Sequence, residues 1–561
     1  MGSQDYLDKA LDNSKGKIGL YQFRILFFIG VASFSCYEPI MTNFSFYETD
    51  FICKVPELSN FTFEQQKLIV GSDQCYRPNR DYSKYADVTD PSNITSSEID
   101  SEVLVDCHDE FVYDSSLFTE TLLKKWNLVC DRKWLIGLVG TITMAGFTFG
   151  SITGGYTADR YGRRPALIVM AYIKIVANIL AIFSPYYSLF CVARFLVGFA
   201  TTACFVIGYV MSVELVGTKH RNVYGMTYAA LYSLGVMYLP LAAFVTRHYF
   251  TFQIASTAPM LLMLFYPCVI PESPRWLVLQ GRKSEAEEIC TKIASVNGND
   301  LPKDFSLQDE GAGNKEDFEK VSPKALGTLF ATRKMRTRTC ILFVDWFTVS
   351  LIFYALSLNA GILVGDIFLN MFLLGFVEIP ANILVIWAMN TKCFGRKRSH
   401  VIAFLVAGLA CLLCVPVMIT QKALWLSTVF AIIGKAGSSA AFNGLFLYTS
   451  ELYPTRIRNL GVGVCGLMAR ISGMMASFAG GSLGDVWRPL PSLLFGILGT
   501  TSGLLTIFLP ETLDKKLPDT LDDIENSSVA PSPSTSHHEM ADGFSPSSKP
   551  DSSRHGDIEE A

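Results

Sequence analysis

Charge is scarce in this sequence. Only 17% of its 561 residues are Asp, Glu, Lys or Arg, where soluble domains carry about 25%. Neither sign dominates, with 47 basic against 51 acidic residues, and no nucleic-acid partner is expected. Histidine is rarer still, seven in all. His108, His220, His248 and His400 read as scattered among loops, without the His/Cys spacing that holds a metal. A Gly-x4-Gly-Lys-Ser/Thr phosphate loop is missing as well: "GKAG" at Gly434 lacks both the first glycine and the final hydroxyl. No cofactor, no metal, no enzyme and no nucleotide-driven step are therefore expected.

Apolar residues fill the space that charge leaves. Half of the chain is hydrophobic, and the mean hydropathy is +0.31. A helix of ~20 apolar residues crosses a ~30 Å hydrocarbon core. About twelve such windows follow one another, from roughly 19–40 and 135–155 to 460–484 and 491–509. The first starts behind a mixed-charge N-terminus without the short apolar run and small-residue site of a signal peptide, so it reads as retained.

Basic residues orient these spans. Arg160, Arg163 and Arg164, then Lys219 and Arg221, then Arg333 to Arg338, then Arg396 to Arg398, then Arg456 and Arg458 all fall in alternate connections. The positive-inside rule places those connections, and both termini, in the cytoplasm. The segment 41–134 then lies outside. It carries the Asn-x-Ser/Thr sites Asn43, Asn60 and Asn93. It also carries Cys53, Cys75, Cys107 and Cys130, an even set on the oxidising side, for which two disulfides in any of three pairings are open. A multi-pass plasma-membrane glycoprotein is expected. Membrane lipid and a small-molecule substrate are its partners, and a coupled ion is a further one.

The chain also repeats itself. "ELVGTKHRN" from Glu214 matches "ELYPTRIRN" from Glu451, "YGRRP" from Tyr161 matches "FGRKR" from Phe394, and "PESP" at Pro271 matches "PETL" at Pro510. The offsets are about 237, 233 and 239 residues. Three matches in register imply two six-helix halves related by duplication, the arrangement that places a substrate site between rocking halves. The expected fold is an all-α membrane protein of twelve helices. Its parts are a cytoplasmic N-terminus 1–18, a first half 19–271, a cytoplasmic helical linker 272–338, a second half 339–511 and a disordered cytoplasmic tail 512–561. In the linker, "SEAEEICTKIASV" has the spacing of an amphipathic helix. The Ser/Pro-rich "SSVAPSPSTSHH" of the tail cannot bury a core.

"GGYTADRYGRRP", residues 154–165, combines turn-forming glycines with Asp159, Arg160, Arg163 and Arg164. Such charges can form a latch in one state and break it in another. The stretch resembles the signature loop of the major facilitator superfamily, and Glu214, Arg221, Glu451 and Arg458 at the duplicated sites complete the expected gating set. A narrower resemblance rests on the long Cys-bearing outer segment closed by "KKWNLVC", on "IPESPRWLVLQGR", on "DWFT" at Asp345 and on "GDIFLNMFLLGFVEIPA". "TSELYPTRIRNLGVGV" and "LPETLDKKLPDTLDD" extend it. Together, over residues 19 to 523, they resemble the organic cation/anion/zwitterion transporter family.

Charges deep in the spans mark the expected site. At 1.5 Å per residue, Arg470, Lys435 and Glu378 lie about ten or eleven residues into their spans, ~15 Å deep. A charge at that depth is rarely without a partner or a task. Arg470, in "GLMARISG", is expected to face the substrate, Lys435 to be a structural partner, and Glu378 to serve either role. Lys174 is the deep charge of the first half, and its side chain is expected to snorkel. Arg24, Arg194 and Glu38 lie nearer the span ends. The resemblance adds that cation members usually place Asp where Arg470 stands, while anion and carnitine-type members place Arg. Anion members commonly place Lys at the position of Asn382, which this chain lacks. An acid and a base at one depth suit a zwitterion, with its carboxylate on Arg470 and its ammonium near Glu378 and aromatic faces. The aromatic candidates that the resemblance supplies are Phe205, Tyr209, Tyr232, Trp346 and Tyr354. A polyspecific transporter of small organic cations or carnitine-like zwitterions, working by alternating access, is the expected function. The rivals are an organic anion exchanger and a transport-inactive membrane sensor of the same fold.

Overall fold

The computed structural model describes residues 11, 19–71, 73–79, 81–85, 103–107, 111–217, 220–298, 327–358, 360, 363–454, 457–479, 481–515 and 518. Asn93, nearly all of 1–18, Lys219, the linker between 299 and 326, Arg456 and the tail beyond 518 lie outside the described residues.

The first half contains α1 (Leu20–Phe34), α2 (Trp134–Tyr161), α3 (Arg163–Ile182), α4 (Tyr187–Glu214) and α5 (Arg221–Thr246). Its sixth span, α6, runs as Tyr249–Thr257, tightens to a 3-10 stretch at Ala258–Phe265 and closes with Tyr266–Val269. The second half contains α7 (Arg333–Leu358), α8 (Ile367–Asn390), α9 (Gly395–Thr420), α10 (Trp425–Leu452), α11 (Arg458–Ala479) and α12 (Leu490–Thr506). Among the described residues, eleven helices are long and apolar enough to cross a membrane, and α12 is a shorter apolar twelfth. The expected all-α, twelve-helix fold is thus the one found. Several boundaries shift: α1 ends at Phe34 rather than near 40, α7 begins at Arg333 rather than near 339, and α11 stops at Ala479, with a separate turn of helix at Gly481–Val486. The sequence there, Gly480-Gly481, holds a helix poorly.

Small residues set how closely helices approach, since burial alone does not drive association in lipid. A Cβ on Gly150 would collide with the Phe199 backbone, so α2 and α4 pack main chain to main chain. Gly408 and Gly499 do the same for α9 and α12. Each half has its own core. One gathers Ile29, Leu167, Ala203, Tyr228 and Tyr266, the other Leu342, Val349, Ala441, Leu445 and Tyr448.

The two halves meet at one end, the end that carries segment 41–134. There Thr141 Oγ1 donates to the Met474 carbonyl at 3.1 Å, joining α2 to α11. The Asn43 amide donates to the Ser357 carbonyl at 2.6 Å, and Phe44 stacks on Phe368 with ring centroids 5.8 Å apart. At the other end Gly155 on α2 and Gly463 and Gly466 on α11 face open space. Among the described residues, the halves are joined at one end and splayed at the other.

The described residues of segment 41–134 form a small cap. β1 (Phe51–Cys53) runs antiparallel to β4 (Phe111–Tyr113), and β2 (Tyr76–Pro78) to β3 (Leu104–Asp106). Of the three possible pairings, the structure has Cys53 with Cys107 and Cys75 with Cys130. After α6, helices Pro274–Leu279 and Lys283–Asn297 follow. The second buries Ala286, Cys290, Ile293 and Ala294, the apolar face its spacing implies.

Candidate substrate-binding site

Helices α5, α7, α8, α10 and α11 bring polar groups to the place where the halves meet. Glu378 on α8 and Lys435 on α10 form an ion pair at 2.8 Å, with side chains 2% and 1% exposed. Ser233 of α5, in the opposite half, donates to the second carboxylate oxygen at 2.8 Å. The Lys435 ammonium also donates to Ser357 Oγ at 2.6 Å and sits 3.1 Å from the centre of the Phe353 ring. A buried charge needs such a full set of partners.

Arg470 on α11 is different. Half-buried, it lies beside Tyr354, and its guanidinium carbon is 5.9 Å from the Phe147 ring of the first half. Among the described residues no carboxylate pairs with it. Tyr354 is 9% exposed, and Tyr232 packs on the cluster to which Tyr354 and Met144 belong. Arg470, Glu378, Tyr354 and Tyr232 are therefore gathered in one region.

The other aromatic candidates are not in that group. Trp346 is 1% exposed. It donates from Nε1 to Thr449 Oγ1 at 3.0 Å and packs edge-on to Phe446 at 4.6 Å, inside the second half. Phe205 and Tyr209 contact Tyr228 in the first half, at 5.4 and 6.1 Å between ring centroids, and Tyr209 is exposed.

Lys174 and His400 depart from the expectations, and Glu38 and Arg194, near the span ends as expected, prove to be partners. Lys174 does not snorkel: it is fully buried, and its ammonium donates to the Ser35 carbonyl at 2.9 Å and to Ser35 Oγ at 2.7 Å. The cause is local, because α1 gives way to a 3-10 turn at Ser35–Tyr37, and a main-chain carbonyl freed at membrane depth must find a donor. Glu38 and Arg194, placed near the span ends by residue counting, form a buried ion pair at 2.8 Å. His400 lies within α9 rather than in a loop, against Phe404 and Tyr448. Glu378 and Glu38 are thus both paired with bases, and among the described residues Arg470 has Tyr354 but no carboxylate beside it.

At the splayed end the gating candidates form two related clusters. Arg163 contacts Asp159 and bonds Glu214 at 3.3 Å. The first two N–H groups of α3, those of Arg163 and Arg164, donate to Glu272 Oε1 at 3.0 and 3.1 Å. Arg396 repeats this with Glu451 at 3.3 Å. The N–H groups of Arg396 and Lys397 donate to Glu511 at 2.8 and 3.0 Å. Burial would raise the Glu511 carboxyl, but the backbone N–H groups of Leu513, Arg396, Lys397 and Thr512 outweigh it and hold the group below its usual range. Arg160 donates to the Tyr156 hydroxyl at 2.7 Å, and Arg164 to the Pro267 carbonyl at 2.6 Å. Arg221 and Arg458 begin α5 and α11. Glu272, Arg396 and Glu511 belong to these clusters without having been singled out. The repeated "PES" and "PET" and the paired "GRR" and "GRK" were the signal that could have found them.

Comparison with known proteins adds four likenesses. The family described as "Sugar (and other) transporter" matches residues 76–520. The chain is 31% identical over 526 residues to the organic cation transporter protein of Drosophila melanogaster, an alignment covering 92% of this chain and 94% of the relative. It is 35% identical over 461 residues to solute carrier family 22 member 2 of Rattus norvegicus, covering 81% and 80%. In fold it is similar to the inward-open xylose transporter XylE of E. coli, with a TM-score of 0.60 at 14% identity over 90% of this chain and 99% of that one.

Proposed function

Because the chain belongs to the organic cation/anion/zwitterion transporter family within the sugar (and other) transporters, and so is a multi-pass membrane transporter and not an enzyme, we propose that it moves small organic cations and carnitine-like zwitterions by alternating access. The observation that carries the substrate reading is Arg470. It is a deep cation without a carboxylate partner among the described residues, beside Tyr354 and Phe147, while Glu378 is close by and already paired. The substrate carboxylate binds the guanidinium, and the quaternary ammonium sits against Tyr354 and Tyr232, where ring faces attract cations. The likeness to an organic cation transporter supports the cation half of this reading. The single Arg supports the carboxylate half.

Closed at the capped end and splayed at the other, the molecule fits one extreme of an alternating-access cycle. With both termini cytoplasmic in the plasma membrane, it is the state open to the cytoplasm. The clusters around Arg163 and Arg396 then hold the cytoplasmic ends of each half while the substrate leaves. The substrate's own gradient, an exchanged solute or a coupled ion supplies the driving force.

A second reading has an observation of its own. Once Lys435 neutralises Glu378, the site is left positive at Arg470, which also suits an organic anion exchanger. Uptake of labelled carnitine, tetraethylammonium and para-aminohippurate in one expressing cell line separates the two. Carnitine and tetraethylammonium uptake is expected. Uptake of para-aminohippurate alone, trans-stimulated by dicarboxylates, would establish the exchanger, and binding without any uptake would establish a sensor.

A further inference from the structure

A second acid lies behind the site. Asp345 of α7 is fully buried and turns toward α12, where Ser502 and Thr506, also fully buried, meet its two oxygens. From α10 and α11 the titratable groups near it are Tyr448 and Cys465, neither a base. Arg338, two turns earlier on α7, reaches the Leu452 carbonyl at 3.5 Å. Among the described residues Asp345 has no ion pair. An ionised carboxylate in such surroundings is strongly disfavoured.

Hydrogen counting makes the point sharper. The Ser502 hydroxyl donates to Asp345 Oδ1. Thr506 Oγ1 is 3.1 Å from Asp345 Oδ2 and 2.8 Å from the Ser502 carbonyl. A hydroxyl has one hydrogen, and the shorter contact is the ordinary helical back-bond from Thr to residue i−4. With that hydrogen spent on Ser502, Oδ2 of an ionised Asp345 would face a lone pair. One added proton on Oδ2 closes the set, because it donates to Thr506 Oγ1 and all three hydrogens then have acceptors.

We propose that Asp345 is a proton-binding site, a resident carboxylic acid that fastens α12 to α7 and releases the fastening when it ionises. Helix α7 also carries Phe353 and Tyr354 of the substrate region, so the proton's presence bears on the packing of that helix.

Thermal unfolding of the purified full-length protein, from mildly acidic to mildly alkaline pH, tests this. In Asp345→Asn the amide supplies the N–H for Thr506 and the oxygen for Ser502, so the variant mimics the neutral acid. The folded protein holds a proton that the unfolded chain, with Asp near about 3.9, has released. Stability of the wild type therefore falls as pH rises. Wild type and Asp345→Asn should melt alike at acidic pH, and the wild type should drop below the variant as the solution becomes alkaline. Thr506→Val removes the acceptor of the acid's proton and weakens the folded state's hold on it, so its decline should level off at a lower pH than the wild type's. Parallel curves for wild type and Asp345→Asn would overturn the proposal, as would failure of Asp345→Asn to fold. Saturable stabilisation by sodium or potassium that Asp345→Asn abolishes would also overturn it, in favour of a metal-cation site.

Discussion

Lys435 and Glu378 face each other at 2.8 Å across α10 and α8, and each is almost wholly buried. This pairing decides which charges are available to a substrate, because it removes the one deep acid of the second half's central group and leaves Arg470. Breaking a buried pair by removing one partner costs roughly 3 to 5 kcal/mol, whereas replacing both partners is often near neutral. Glu378→Gln and Lys435→Met singly should therefore lower surface abundance and melting temperature sharply, and the double variant should recover most of both. Surface biotinylation and thermal unfolding read the result; a double variant no better than the singles would mean the pair is not the unit.

Arg470→Lys keeps the charge and loses the planar fork, so carnitine uptake should fall by an order of magnitude or more while the protein still reaches the surface. That loss corresponds to about 1.4 kcal/mol for each factor of ten. Arg470→Asp reverses the local charge and should abolish carnitine uptake while sparing or raising tetraethylammonium uptake. Equal loss of both substrates at normal surface abundance would remove Arg470 from substrate selection.

The clusters around Arg163 and Arg396 are not equivalent. Arg163 has Asp159 as well as Glu214, but Lys392 stands two residues before Phe394, where Asp159 stands two before Tyr161. In its place Arg396 takes the neutral Asn390 Oδ1 at 3.0 Å. Glu451→Gln should lower maximal transport rate more than Glu214→Gln, since Arg163 retains a carboxylate. Asp159→Asn should reduce turnover with substrate preference unchanged. Initial-rate uptake, normalised to surface protein, checks all three.

Glu272 and Glu511 each cap the first turn of a helix from another part of the chain. Loss of a cap costs about 0.5 to 2 kcal/mol, so Glu511→Ala and Glu272→Ala should each lower the melting temperature by a few degrees. Glu511 is held below its usual range, so its contribution is complete above about 4.3, the ordinary Glu value. It is lost as pH falls through the lower folded value. The melting difference between wild type and Glu511→Ala should narrow in acid; a difference constant with pH would contradict the capping role.

Asn43 and Asn60 share a glycosylation motif but not an environment. The Asn43 amide is spent on the Ser357 carbonyl at 2.6 Å, while Asn60 is exposed. Asn60→Gln should shift the mature protein to lower mass on a gel, and Asn43→Gln should leave the mass unchanged while loosening the closed face. A mass shift from Asn43→Gln would contradict that assignment.

Much of this architecture is legible in the sequence, because apolar windows, alternating basic connections and three duplicated motifs are all one-dimensional signals. Depth is equally one-dimensional, which is how Arg470, Lys435 and Glu378 come to attention. Azimuth is not. Counting residues cannot tell that Trp346 turns into its own half while Tyr354, eight residues on, reaches Arg470. Nor can it tell that Glu38 meets Arg194 across 156 residues. The reading of Lys174 fails for a related reason. Snorkelling assumes a regular helix nearby, and the 3-10 turn at Ser35–Tyr37 supplies a buried carbonyl that no propensity marks. Asp345 was visible only as part of a motif, since its meaning lies in two hydroxyls more than 150 residues away.

The helix Lys283–Asn297 has a consequence for how the molecule is joined. Its Cys290 and Ile293 belong to the first half's core. Its last residue, Asn297, accepts from the Tyr21 N–H at 3.1 Å and donates to Gln22 at 2.8 Å, at the very start of α1. The polypeptide thus returns to its own beginning before it departs for the second half, and the first half is sewn shut as a separate piece. The covalent tether begins only beyond that stitch. The described seam, α2 on α11 and α5 on α8, is built from residues on either side of that tether, so two separately synthesised fragments divided after residue 298 would each carry one face of it.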